Sequence, residues 1–262
     1  MKRVVTTAIL LAASPVALAA GPWDATFAFQ VSAFRADANT TVRIDSNTGR
    51  PGTSFSLESD LGVDRTKTLP QIDFIWRASQ HHGLEGSYVK LDRSGTRTIN
   101  GEIVFRDTVY PVNTQVDSQF ESEVWRLAYR YSFINDSGNE LAVLLGAHYT
   151  NLKVGLNGQA GSVNESAAVD FPLPTIGLRG GWRFADNLRL AGFIQFLKLK
   201  VGDYDGSLVN ASGGIEWAFH PNFYVGAGYV YYKYELDSEK DNVKGKFDYR
   251  FDGPVIYGAW AF

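Results

Sequence analysis

The sequence predicts an all-β fold: a transmembrane antiparallel up-and-down β-barrel, with ten strands the preferred count and twelve or eight the alternatives. Three observations predict it. Segments of about ten residues alternate apolar and polar positions with a period of two. Short turns and long polar connections follow one another along the whole chain, the asymmetry of an outer-membrane barrel with tight periplasmic turns and long extracellular loops. Tryptophans and tyrosines gather at the ends of the alternating segments, where a membrane–water interface selects amphipathic rings.

Residues 1–20 read as a cleaved export signal, with 21–262 the barrel. Lys2 and Arg3 form the basic start, Val4–Leu11 opens an apolar stretch, and Ala17-Leu18-Ala19 supplies small residues for cleavage. Lys2 and Arg3 leave with it, so the net charge moves from −3 to −5. That acidic balance argues against a nucleic-acid partner, which would require a basic stripe. After the signal no apolar run approaches the roughly 18–20 residues of a membrane helix. The chain has no Cys, so neither disulfides nor thiolate metal sites hold it together.

Strands are expected near 25–36, 68–79, 83–92, 120–134, 139–152, 171–185, 188–201, 207–219, 223–235 and 246–262. Short turns fall at Gln80–Gly83, Asn135–Asn139, Asp186-Asn187 and His220–Asn222. Long connections fall at Asp37–Lys67, Asp92–Ser118, Asn157–Asp170, Gly202–Gly206 and Asp237–Lys244. The first connection also has the pattern of a hairpin, Thr41–Ile44 with Ser54–Leu57 around Asn47–Gly49, standing above the bilayer as an extension.

Apolar faces are expected to meet lipid and polar faces to line the lumen, because a closed barrel satisfies its backbone groups between strands. Thus Ile72, Phe74 and Trp76 oppose Gln71, Asp73 and Arg77, and Trp125, Leu127, Tyr129, Tyr131 and Phe133 oppose Arg126, Ala128, Arg130 and Ser132. Trp76, Trp125, Trp182, Trp217, Trp260 and Phe262 form the expected interface aromatics, with Trp23 also on the turn side. Two segments fit badly. Lys90 shares a face with Leu84, Gly86 and Tyr88. In the other, Ile194 and Phe196 point one way and Leu197 and Leu199 the other, so either a bulge near 196–197 or a snorkelling Lys198 is needed.

The last strand, Pro254–Phe262, resembles the C-terminal signal of bacterial outer-membrane proteins, with Ile256, Gly258, Trp260 and a terminal Phe262. That resemblance implies recognition by the outer-membrane barrel assembly machinery and residence in the Gram-negative outer membrane, beside its lipid and lipopolysaccharide. The stretches Leu57–Asp64, Leu69–Thr98 and Asp203–Leu208, with Asp252-Gly253-Pro254, resemble an uncharacterised proteobacterial group of small outer-membrane barrels, similar in size class to OmpA and OmpX. No activity is carried over from it.

The expected lumen holds Asp73, Arg77, Glu85, Arg126, Arg130, His148, Arg179, Arg183 and Glu216, with Gln30 and Ser32 nearby. Side chains fill the interior of small barrels, whereas open channels belong to large ones. A filled, charged lumen in a non-enzymatic structural or surface-interaction protein is therefore the preferred reading. A narrow anion-preferring pore lined by the arginines is the alternative, and an outer-membrane hydrolase the second alternative. Omptin-like outer-membrane proteases use paired Asp and an Asp–His pair at the extracellular rim. This chain has Asp203, Asp205 and Asp237 there but no His in any long connection: His81, His82 and His220 sit in short turns and His148 mid-strand. A Ser–His hydrolase needs both groups within hydrogen-bond reach, and nothing ties His148 to a particular Ser. No cofactor is expected. Asp203 with Asp205, or Asp237 with Glu239 and Asp241, reads as solvated acidic loop rather than a Ca²⁺ site. Lys198, Lys200, Lys233, Lys244 and Lys246 gather near the extracellular rim, where lipopolysaccharide phosphates are one expected partner. The long connections are where surface recognition would sit.

Overall fold

A computed structural model describes residues 21–158, 163–201, 204–240 and 243–262; the export signal expected at 1–20, Asp203 and Asp241 lie outside the described residues. The strands are β1 (Phe27–Ile44), β2 (Phe55–Ser56), β3 (Thr66–Arg77), β4 (His82–Thr98), β5 (Ile103–Phe105), β6 (Thr108–Tyr110), β7 (Gln115–Asp136), β8 (Asn139–Gly158), β9 (Val163–Ala185), β10 (Leu188–Val201), β11 (Tyr204–His220), β12 (Phe223–Lys240) and β13 (Val243–Ala261). Ten of them, all but β2, β5 and β6, pair as antiparallel neighbours into a ring that closes between β1 and β13, from Ala28↔Ala261 to Ile44↔Gly245. Closure leaves the ring without free edges through the lipid-facing band, the condition for crossing a bilayer with strands.

The four short turns lie at one end. At the β7–β8 turn, Ser137 and Gly138 both have positive φ (53° and 83°), the mirror-image turn whose twist suits a two-residue hairpin. At the other end the expected long connections divide into two kinds. Residues 45–65 and 99–114 are long, and they carry β2 and the β5–β6 hairpin. In the other three the strands themselves run on, to within four, two and two residues of one another. The strands are thus longer at this end than the bilayer requires. The hairpin expected in the first connection is present as Thr41↔Ser56 and Val42↔Phe55, with Gly49 at φ 87° in its turn.

What runs past the bilayer inverts its sidedness. On β7, Trp125, Leu127, Tyr129, Tyr131 and Phe133 face out and are exposed, while Arg126, Ala128, Arg130 and Ser132 face in and are buried. From Val124 toward the long-loop end the same alternation carries the opposite chemistry: Glu123, Glu121, Gln119 and Asp117 face out, and Val124, Phe120 and Val116 are buried inside. The apolar stretch on β7 covers roughly 20 Å at ordinary rise and tilt, the height of a lipid-facing band. Above it the outer wall meets water, so apolar side chains move to the interior and form a core. That core joins Phe34, Phe120, Tyr232, Tyr249 and Phe251 from the wall to Phe55, Leu57, Leu61 and Phe105 from the long connections. We expect Leu127→Arg to cost about 2–4 kcal/mol in lipid. Gln119→Arg, on the same face of the same strand, should change unfolding by under about 0.5 kcal/mol; urea titration of vesicle-inserted protein measures both, and equal costs would move the boundary.

The two badly fitting segments resolve by the same rule. Lys90 stands just above the band, 3.8 Å from Glu121. The β10–β11 ladder runs without a register shift from Leu188 to Val201, so no bulge occurs at 196–197. Leu197 turns inward against the upper core and Lys198 stands outside, exposed.

Candidate functional site: the lumen and its closures

Three layers fill the barrel. The lowest begins with residues 21–26, which fold under the ring before β1 starts. Trp23 is 3% exposed and packs with Ala25, Ile75, Tyr224 and Ala261, so it is a plug in the periplasmic mouth and not the interface aromatic expected on the turn side. Asp24 Oδ1 accepts from Gly138 N at 3.0 Å and Arg77 Nη1 donates to Ala25 O at 3.0 Å, which ties the plug to two walls. Trp76, Trp125, Trp182, Trp217 and Trp260 do face outward and are exposed, and Phe262 packs half-buried between Phe27 and Trp260.

The middle layer is one connected ion-pair network. Arg126 Nη2 lies 2.7 Å from Glu85 Oε2, and Arg130 Nη1 lies 2.7 Å from Glu140 Oε1. Arg179 Nε bridges the two carboxylates, 3.2 Å from Glu140 and 3.5 Å from Glu85. Arg189 continues the chain, 2.9 Å from Glu140 Oε2 and 3.6 Å from Glu216 Oε2, and Tyr257 Oη donates to Glu216 Oε1 at 3.2 Å. The register explains why these groups meet: inward positions on neighbouring strands fall in rows, such as Glu85↔Ala128 and Arg189↔Glu216. Each carboxylate has at least one arginine, which offsets some of the penalty for burying charge. Asp73 stands slightly apart, accepting from Gln71 Nε2 at 2.9 Å and Gln30 Nε2 at 3.2 Å.

Of the nine expected lumen residues, Arg183 is misplaced. Near the turn end its guanidinium donates to Asp186 O and lies 5.9 Å over the Trp23 ring, so it belongs to the rim and the plug. The network instead includes Glu140 and Arg189, which sequence reasoning misses. Both stand one residue into their expected strands, beside the short turns, away from the mid-strand positions from which the lumen set is drawn. Their parity is the available signal: Glu140 shares that of His148, and Arg189 that of Gln195. With those changes the interior charges number five arginines against four carboxylates.

His148 is fully buried above the network. Its Nε2 lies 3.1 Å from Asn210 Nδ2 and its Nδ1 3.5 Å from Thr175 Oγ1, while Gln195 links Thr175 to Arg126. Between the network and the upper core a cavity of about 70 Å³ is lined by Gln30, Asp73, Glu85, Arg126, Arg179 and Tyr232. It has room for a few water molecules, and its polar walls would bond them.

The top layer is the core above the band, sealed by the long connections. Arg93, fully buried, holds the first of them: its Nη1 is 2.6 Å from Glu58 Oε1 and donates to Asp64 O, and its Nη2 donates to Thr40 Oγ1 at 2.7 Å. Its guanidinium also stands 5.0 Å over the Phe120 ring. Asp107 clips the two connections together by accepting from Ser46 Oγ and both nitrogens of Asn47, and these bonds hold its carboxyl below the usual range. Tyr110 Oη donates to Leu156 O at 2.8 Å. Among the described residues no group of three or more His, Cys, Asp or Glu is placed to hold a metal ion.

Comparison with known proteins agrees with this architecture. No protein-family model matches the chain. No curated protein matches it either. Among solved structures, the outer membrane protease OmpT of Escherichia coli superposes with a TM-score of 0.59 at 10% identity, covering 90% of this chain and 96% of that one. Ail, the attachment invasion locus protein of Yersinia pestis, in complex with a heparin analogue, gives 0.36 at 15% identity, with 87% and 98% covered. The toluene transporter TodX of Pseudomonas putida gives 0.30 at 10% identity, with 94% and 93% covered. The likeness to OmpT is one of fold, and with the ten-strand ring and its exposed apolar band it makes this chain a transmembrane β-barrel of the outer-membrane type.

Proposed function

We propose that the protein is a non-conducting, non-enzymatic barrel whose water-exposed upper half serves as a structural or recognition surface at the cell exterior. The observation that carries this reading is the triple closure of the lumen by the Trp23 plug, the Glu85–Arg179–Glu140–Arg189–Glu216 network and the capped core. The five arginines of the alternative pore either pair with carboxylates or bond backbone carbonyls, so they offer little free charge to a passing anion. The histidines support the non-enzymatic aspect. His81, His82 and His220 are exposed at the short-turn end, and His148 has no exposed surface from which to take a substrate proton. Proteolysis is a property of OmpT and is not carried over by a shared fold.

The barrel assembly machinery is proposed as the partner of the C-terminal strand, and lipopolysaccharide as the neighbour of the outer wall. Planar-bilayer recording of refolded protein, shown folded by heat-modifiable gel migration, tests the reading. Silence is the expected result. Discrete, reproducible conductance steps would overturn it and favour the narrow pore.

A further inference from the structure

The ring is not sealed at every height. The β9–β10 ladder ends at Ile176↔Phe196, the top of the apolar band, although β9 continues to Val163 and β10 to Val201. Among the described residues above that point, β9 pairs with β8 alone and β10 with β11 alone. The sequence accounts for the separation. Pro172 and Pro174 stand directly above the last pair and have no N–H to donate. The β8 ladder passes both without interruption, so their missing donors fall on the β10 side. Ser166, of the same parity, turns its carbonyl to Arg106 Nη1 at 2.8 Å instead of to a strand.

The result is a notch in the wall that starts where the lipid-facing surface stops. Beneath it lie the exposed Ile176, Ile194 and Phe196. Inside it, Leu199 points to the lumen side by parity yet is 39% exposed, three residues past the last β9–β10 pair. Leu173 sits behind, its Cδ2 3.8 Å from where a Cβ on Gly206 would stand. On the outer face beside the notch are Lys198 and Lys200, both exposed. Elsewhere on the outer wall above the band, Lys90, Lys233, Lys244, Lys246 and Arg250 each have a carboxylate within 4 Å. Lys198 and Lys200 have none among the described residues, as is also true of Arg35 and Lys153; Glu235 attracts Lys198 from farther away, and Asp205 stands opposite Lys200 in the ladder.

We propose that this notch is a lipid site. A lipopolysaccharide molecule of the surrounding leaflet places a phosphate on Lys198 and Lys200, runs its acyl chains down over Ile176, Ile194 and Phe196, and covers Leu199 with the upper end of one chain. The site is continuous with the lipid-facing band, and its two ammonium groups, neither within 4 Å of a carboxylate among the described residues, match a phosphate as point charges. The inference rests on the outer-membrane placement and sharpens the general contact with lipopolysaccharide to one sector of the wall.

The test uses refolded protein in phosphatidylcholine nanodiscs containing a trace of lipid A, with retention of lipid A read by native mass spectrometry. Heat-modifiable migration of each variant reports barrel insertion separately, so a failure of the site is distinct from a failure of the fold. Wild-type protein should retain lipid A, and Lys198→Glu with Lys200→Glu should weaken retention by about tenfold or more. Arg35→Glu with Lys153→Glu makes the same change of charge at exposed cations outside the notch and should leave retention within about twofold. Leu199→Ser should weaken it without any change in charge. Equal losses in the two charge-reversed variants would overturn the proposal in favour of diffuse attraction. Full displacement of lipid A by millimolar inorganic phosphate would overturn the acyl contacts, and equal retention of phosphatidylglycerol would overturn the choice of lipopolysaccharide.

Discussion

Glu140→Gln is expected to destabilise the barrel by about 3–5 kcal/mol, the cost of leaving buried Arg130 without a carboxylate and Arg179 and Arg189 each with only their longer contact, to Glu85 and Glu216. Glu140 is the hub of the network: its two oxygens serve Arg130, Arg179 and Arg189 at 2.7–3.2 Å. A neutral amide keeps the shape, so the loss reports charge rather than packing. Glu85→Gln should cost less, because Glu85 serves two arginines to the three of Glu140, Arg179 keeps its shorter contact to Glu140, and Arg126 keeps Gln195. The two substitutions share Arg179 and should not add. Urea unfolding in lipid vesicles, followed by tryptophan fluorescence and gel migration, measures both single variants and the double. A cost below about 1 kcal/mol for Glu140→Gln would mean that water reaches the network and screens it as at a surface.

Phe120→Ala should cost about 3–5 kcal/mol as well, by a different mechanism and in a different place. Phe120 is fully buried above the band, 5.0 Å from the Tyr249 ring, and carries Arg93 on its face. Truncation opens a cavity at the centre of the upper core and loosens Arg93, which anchors the first long connection through Glu58. The lipid-facing band and the ion-pair layer lie below and are untouched. Limited proteolysis should therefore cut within residues 45–65 while the remaining barrel keeps its heat-modifiable migration. Joint loss of both would show that cap and membrane barrel unfold as one unit, contrary to the division of the core by height.

That division explains which features of the structure the sequence displays. Period-two alternation is a local property, so the strands, their facing and the exposed Trp residues are legible from residue order alone. The same is true of the Thr41–Ser56 hairpin, which the Asn47–Gly49 turn announces. The upper strand halves are harder to see. On β7 the apolar face passes from the odd positions 125–133 to the even positions 116, 120 and 124, and a reader following one face loses the strand there. Residues such as Arg93, Asp117 and Lys244 then pass for loop, although they belong to β4, β7 and β13.

The site divides in the same way. By itself the sequence determined a barrel with a polar lumen and lipid-facing aromatics, because each depends on neighbours one or two residues away. Only the tertiary structure decided which charges meet. Glu140 joins Arg130, Arg179 and Arg189 because ring closure and strand register bring four strands to one height, and no spacing along the chain encodes that height. It also decided that Trp23 turns inward as a plug, that Arg183 stays at the rim, and that Pro172 and Pro174 hold β9 and β10 apart just where the lipid ends. A side chain's facing is set by its own strand, whereas its partner is set by how the strands are staggered around the barrel.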